Sequence, residues 1–250
     1  MTQPSVWCLL GHKAGDNTQV RALAAELGYP TQEKNIIAQP WELLVHFGSR
    51  GTLAGISLAR SSALQPPWPD LVITAGRRNE PVAQWIRRQS RQRVRIVHIG
   101  RPWAPLDRFD LIVTTPQYFL PFQNNIVHNR LPLHRMLPTA LQRAADVFQA
   151  RWEALPRPWT AVLIGGDSGR FVFTREKAQR MGRLCDQLGR ARQGSLLITD
   201  SPRTPAGITD AVLEQISVPS RCYRFREDAD NPYLALIALA DAFVVTGESM

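Results

Sequence analysis

Several short apolar runs in this chain lack the polar alternation of a strand with one wet face: Ser5 to Leu10, Asp70 to Thr74, Val94 to Ile99 and Asp110 to Thr114. A strand apolar on both sides has to be covered on both sides, and the intervening stretches supply the covers. Asn17 to Leu27 sets Val20, Leu23, Ala24 and Leu27 at helical spacing, and Glu80 to Arg88 reads as a second helix. Strands of this kind alternating with helices predict a parallel sheet sandwiched between helices. From Pro121 to Pro138 the pattern breaks into Pro, Asn and His, and a helix predicted over Thr139 to Ala154 leads into Pro156-Arg157-Pro158, the expected domain boundary. A second series follows, with strands at Thr160 to Ile164, Ser195 to Thr199, Cys222 to Phe225 and Ala242 to Thr246. The intervening helices fall at Thr174 to Gly189, Thr204 to Ile216 and Pro232 to Ala240. The expected fold is α/β, two doubly wound Rossmann-like domains at 1–155 and 156–250. Thr246-Gly247-Glu248-Ser249 reads as a strand-to-helix turn with no helix after it, so the second domain is expected to be incomplete.

A length of 250 residues with 44% hydrophobic content suffices for two packed cores. No apolar run approaches the ~20 residues of a membrane span, and Met1 to Leu10 lacks the charged start and small-residue cleavage site of a signal peptide. The expected location is cytoplasmic. Cys8, Cys185 and Cys222 have no metal-ligand spacing, and neither have His46, His98, His128 and His134, so neither a disulfide framework nor a metal is expected. The scattered Trp residues form no stacking platform, which argues against nucleic acid. An excess of 30 Lys and Arg over 21 Asp and Glu, net +9, suits phosphate-bearing substrates or an anionic membrane surface. The cluster of Arg87, Arg88, Arg91, Arg93 and Arg95 reads as a solvated basic helix end or a lipid contact.

In open α/β sheets ligands bind beyond the carboxyl ends of the strands. The first such loop holds Gly11, Lys13, Gly15, Asp16 and Asn17. Its glycines admit close approach, Lys13 suits an acidic group, and Asp16 serves either as a general base or, like Asn17, as a helix cap. Gly76, Arg77 and Arg78 follow the second strand and put two guanidinium groups at the same sheet edge. In the second series Gly165, Gly166, Ser168 and Arg170 form a glycine-rich loop suited to a diphosphate or to a tight turn. Ser201, Arg203 and Thr204 form the next loop, and Gly247, Glu248 and Ser249 the last, with Glu248 placed to accept from ribose hydroxyls. Neither GxxxxGK[ST] nor GxGxxG occurs in these loops.

Six ordered segments resemble one known family: GHKAGDNTQ from Gly11, LVITAGRRNEPVA from Leu71, RFDLIVTTPQ from Arg108, VLIGGDSGRF from Val162, LLITDSPRTP from Leu196 and NPYLALIALADAFVVTGES from Asn231. Together they are similar to the mitochondrial-fission, elongated-mitochondria family of glycosyltransferase-like proteins. The resemblance implies a GT-B-like fold with a nucleotide-sugar on the second domain, held by Gly165, Gly166, Ser168, Arg203, Glu248 and Ser249, and an acceptor facing the Gly11 to Asn17 loop. Asp16 becomes the candidate base of a metal-independent transfer, without a cofactor, to a cell-envelope or glycolipid acceptor. Plant members are associated with recruiting a dynamin-related protein, which keeps a non-catalytic scaffold as the rival reading, and a nucleotide-sugar epimerase is the third.

Overall fold

A computed structural model describes residues 3–42, 45, 51–134, 136–167 and 172–247. The chain forms two compact units, Met1–Arg135 and Met136–Met250. The division thus falls about twenty residues before the Pro-Arg-Pro sequence expected to mark it.

The first unit is built on a six-stranded parallel sheet. In chain order its strands are β1 (Val6–Leu10), β2 (Thr31–Asn35), β3 (Leu71–Ala75), β4 (Arg95–Ile99), β5 (Leu111–Thr114) and β6 (Ile126–His128), and in space they run β2-β1-β3-β4-β5-β6. The continuous apolar runs have a direct explanation in this arrangement. Successive side chains of a strand point to opposite faces. Val6, Cys8 and Leu10 therefore join Ile73, Val97 and Val113 on one face, while Trp7 and Leu9 join Val72, Ile96 and Ile112 on the other. The first face is covered by α1 (Ala14–Leu27) through Val20 and Ala24, and the second by α2 (Glu80–Gln89) through Val82, Ala83 and Ile86. At the end of α1 Gly28 takes up left-handed backbone, φ 65°, which stops the helix.

Two strands went unforeseen. β2, sequence TQEKN, is polar because it is an edge strand with mostly exposed side chains. β6 is only three residues long and lies in the stretch where the strand-helix pattern breaks. In the basic cluster at the end of α2, Arg88, Arg91, Arg93 and Arg95 are exposed and Arg87 is half-buried, and Arg87 and Arg95 both pair with Asp110, the second at 2.7 Å.

The second unit carries a four-stranded parallel sheet of β7 (Trp159–Leu163), β8 (Ser195–Thr199), β9 (Ser220–Tyr223) and β10 (Ala242–Val245), in the order β10-β7-β8-β9. Its covers are α3 (Pro138–Trp152) and α6 (Tyr233–Leu239) on one face, α4 (Arg175–Arg192) and α5 (Ile208–Leu213) on the other. The expected helix from Thr139 to Ala154 thus belongs to this unit. Its Phe148 and Trp152 pack with Trp159, Leu197, Ala235 and Leu236, and Trp152 meets Trp159 edge-on with ring centroids 5.7 Å apart. The helix expected from Thr204 forms only from Ile208 on, after Gly207 at φ 75°.

One buried carboxylate fastens α4 to the segment after α5. Asp186 accepts from the Ser217 and Val218 amides at 2.7 and 3.1 Å, from the Ser217 hydroxyl at 2.9 Å and from Arg190 Nε at 2.8 Å. The Ser217 amide first, then Arg190 and the remaining donors, hold its carboxyl well below the usual carboxylate range against the opposing cost of burial. Asp186→Ala is expected to cost about 3 kcal/mol in urea unfolding, because it strands two amides and a hydroxyl. A depressed folded pKa stabilises fully above the unfolded value of about 3.9 and is lost as pH falls through the folded value. The parent should therefore lose stability below about pH 4 more steeply than the variant. Parallel acid-side curves would remove Asp186 as the cause.

Candidate functional site

Each sheet has a point where the chain reverses its direction of travel across the strands, and a depression opens there beyond the carboxyl ends. In the first unit this point lies between β1 and β3. The cavity there is small, about 50 Å³, and its lining includes Gly11, His12, Lys13, Asp16, Glu42 and Gly76. In the second unit it lies between β7 and β10. That cavity is about 410 Å³, lined among others by Gly165, Asp200, Ser201, Phe225, Tyr233 and Thr246, within the range of about 300–1,000 Å³ that takes a whole small ligand.

In the first depression, Asn17 uses both ends of its amide on Gly11, accepting from the Gly11 N–H at 2.9 Å and donating to its carbonyl at 2.8 Å. The loop after β1 is closed by this clamp. Asp16, half-buried in the first turn of α1, leans instead toward Gly76. A Cβ at Gly76 would lie 2.6 Å from Asp16 Oδ2, an overlap that turning the carboxylate relieves, whereas the φ of 70° at Gly76 is what favours glycine there. Among the described residues no hydrogen bond or ion pair engages the Asp16 carboxylate, although its charge reaches Tyr118. Burial first, and Asp16 second, push the Tyr118 phenol above its ordinary value.

Arg78 links His12 to Glu42. Its Nη1 lies 2.7 Å from His12 Nε2, and its Nε is 2.5 Å from Glu42 Oε1. A guanidinium only donates, so the imidazole nitrogen facing it must accept. Burial first, and Arg78 second, lower the His12 pKa, which is consistent with a neutral ring. Arg77 lies over the Trp103 ring, 4.1 Å from its centroid. Trp103 is positioned in turn by buried Glu80, which accepts from the Trp103 and Ala104 amides at 2.9 Å each.

In the second depression the loops interlock. Gly165 donates its N–H to Thr246 Oγ1 at 2.9 Å, which ties the β7 loop to the end of β10. Thr204 Oγ1 lies 2.7 Å from the Gly165 carbonyl and accepts from the Ser201 amide at 2.9 Å, which ties the β7 loop to the β8 loop. Gly166 sits directly against this second loop: a Cβ there would fall 1.8 Å from the Arg203 carbonyl oxygen. Asp200 extends the arrangement, accepting from Thr209 Oγ1 at 2.9 Å and from the Phe225 amide at 2.7 Å. The result is a rigid floor of backbone with aromatic and hydroxyl side chains around it.

The family model for mitochondrial fission ELM1 matches residues 14–250. The chain belongs to the mitochondrial fission ELM1 family. The mitochondrial fission protein ELM1 of Arabidopsis thaliana is 28% identical over 78% of this chain and 50% of its own, so the chain spans half the length of that relative. The RP120 protein of Rickettsia prowazekii (strain Madrid E) is 22% identical over 98% of this chain and 78% of its own. Among solved structures, UDP-GlcNAc 2-epimerase from Neisseria meningitidis bound to UDP-GlcNAc superposes with a TM-score of 0.50 at 11% identity, over 98% of this chain and 78% of that one. The fold of this ELM1-family chain is therefore α/β and GT-B-like, with two Rossmann-like domains.

Against this geometry the sequence-derived residues divide. Gly11, Lys13, Asp16, Gly76, Arg77 and Arg78 gather at the first depression, and Gly165 and Ser201 at the second. Gly15 is a correction, since it lies inside α1, where an added Cβ would meet nothing within 4 Å, and does not line the depression. Asn17 is another, because its amide is spent on Gly11, and neither it nor Asp16 caps α1, whose N-cap is Lys13. Arg78 is already engaged by Glu42, and Thr204 holds backbone rather than facing outward. Arg203 contributes its backbone to the Gly166 contact and is absent from the cavity lining. A Cβ at Gly247 would meet nothing within 4 Å. Ser168, Arg170, Glu248 and Ser249 lie outside the described residues. Sequence reasoning missed His12, Glu42, Tyr118, Asp200, Phe225, Tyr233 and Thr246. The clue available for Asp200 and Thr246 was position alone, the first standing just past a predicted strand and the second at the end of one.

All three cysteines are free, with thiols pushed up to about 11, chiefly by burial. None is poised as a nucleophile.

Proposed function

We propose that the chain binds a nucleotide-diphosphate sugar at the β7/β10 depression and transfers the sugar to a hydroxyl acceptor. The observation that carries this reading is the glycine loop after β7, closed by Thr246 and Thr204 and pressed against the Arg203 backbone, beside a cavity large enough for a nucleotide. Gly165 borders this cavity without a side chain, which leaves room for a diphosphate beside the loop. The epimerase with the similar fold is bound to UDP-GlcNAc, which supports a nucleotide-sugar as the ligand.

In this reading Asp16 takes the proton from the acceptor hydroxyl, its carboxylate being half-buried and unengaged among the described residues. The diphosphate leaves with its new negative charge facing the glycine loop and Arg203. The acceptor is a membrane-borne glycolipid, and the protein works as a peripheral, cytoplasmic enzyme, which the +9 net charge favours. Among the described residues no helix is long and apolar enough to cross a membrane.

Calorimetric titration with a panel of nucleoside diphosphates and nucleotide sugars tests the reading. Selective binding is expected, weakened about tenfold by Arg203→Ala through loss of one charge-assisted contact. No binding anywhere in the panel would sink it in favour of a scaffold that recruits a protein. A changed sugar nucleotide appearing without acceptor would replace transfer by epimerisation.

A further inference from the structure

The first unit carries a feature that neither depression uses. After β5 the chain makes a tight turn over Pro116 to Tyr118, and Phe119 follows with φ 49° and ψ 44°. Left-handed backbone is uncommon for an aromatic residue, whose side chain offers no local hydrogen bond to stabilise it. Here it is held by the Phe119 N–H donating to the Pro116 carbonyl at 3.1 Å and by Arg101 Nη1 donating to the Tyr118 carbonyl at 2.9 Å. The outcome is unusual. Leu120 turns into the core, whereas Phe119 is 85% exposed and Phe122, three residues on, is 89% exposed. The Phe122 ring rests beside His128, centroids 4.4 Å apart, and Val127 of the edge strand β6 is exposed as well.

Along the chain, the segment that carries these side chains holds cations and no acid. No acidic residue occurs in the sequence between Asp110 and Asp146, while Arg101 and Arg130 are exposed cations at either end of the aromatic segment. We propose that Phe119 and Phe122, flanked by Arg101 and Arg130, form a docking surface for an anionic phospholipid membrane. Protruding aromatic rings that line no groove suit a fluid interface, into which they insert while arginines pair with the headgroups. The proposal gives a location to the membrane contact in the functional reading above, and it rests on that reading only for the reason a membrane is approached.

Sedimentation with lipid vesicles tests it, in the absence of any nucleotide so that the result is independent of the β7/β10 depression. The full chain is expected to sediment with vesicles of phosphatidylcholine and phosphatidylglycerol in equal parts and to stay in solution with phosphatidylcholine alone. Phe119→Ser combined with Phe122→Ser should lower partitioning by about tenfold or more, since two aromatic insertions are lost. Its thermal melt should match that of the parent, both rings being solvated in the fold. Failure of the parent to bind the mixed vesicles overturns the proposal. So does equal binding by the double variant, which would mean that diffuse positive charge suffices.

Discussion

Gly166→Ala should unfold the second unit at markedly lower temperature and abolish ligand binding at the β7/β10 depression. The added Cβ would lie 1.8 Å from the Arg203 oxygen, 2.2 Å from its carbonyl carbon and 2.7 Å from the Thr204 nitrogen. All three are backbone atoms, so no rotamer change relieves the overlap and one of the two loops has to move. Overpacking at a site that cannot relax costs about 3 kcal/mol, which lowers the melting temperature by on the order of 10 °C for a unit of this size. Binding would suffer separately, because shifting the β7 loop breaks the Gly165 to Thr246 and Thr204 to Gly165 hydrogen bonds that shape the floor. Two other glycines serve as controls. Gly247→Ala and Gly15→Ala meet nothing within 4 Å. Gly15→Ala, inside α1, should even stabilise by up to about 1 kcal/mol. Calorimetric melts of the three variants decide the matter, and a Gly166→Ala protein that melts with its parent would show that the two loops are not locked together.

Asp16→Asn should lower transfer by about 10² to 10⁴-fold while leaving affinity for the nucleotide-sugar unchanged, as expected when a general base is replaced by an amide of the same shape. The measurement is release of nucleoside diphosphate in the presence of a total lipid extract as acceptor, alongside calorimetric binding of the donor. Asn17→Ala provides the contrast. Removing the clamp on Gly11 disturbs the loop as a whole and should affect stability by about 1 to 2 kcal/mol, where Asp16→Asn should not. Undiminished release by Asp16→Asn would take Asp16 out of the mechanism, and equal defects in the two variants would assign it a structural role.

The doubly wound architecture was legible because strands such as β1 and β8 are buried on both faces and so must be apolar at nearly every position. The same logic hid β2, whose five residues are polar because one edge faces solvent. The domain boundary was displaced for a different reason. α3 follows the first sheet in sequence, yet Phe148 and Trp152 find their partners in Trp159 and Leu236, and no local pattern announces which sheet a helix will cover. Within the depressions, glycines and charged residues in the loops after strands could be located, but not what they would bind. Asn17 folds back on Gly11 from the start of α1, and Glu42 engages Arg78 from a segment distant in sequence, so a reading from residue types overestimates how many polar groups remain available. Residues such as Phe225 and Tyr233 gave no signal at all, since an aromatic beside a pocket has the same local pattern as one in a core.

The polar character of β2 has a further consequence for the protein in a crowded solution. An outermost strand leaves a row of backbone donors and acceptors uncapped, and identical chains can polymerise by zipping such rows together. Here Glu33 is gripped by Arg21 through two hydrogen bonds at 2.8 and 2.9 Å, and Lys34 sets its ammonium 4.2 Å from the centre of the Trp7 ring. A second copy seeking to extend the sheet would have to strip water from the exposed Arg21–Glu33 pair. The strand that was hardest to foresee thereby guards the sheet against growth.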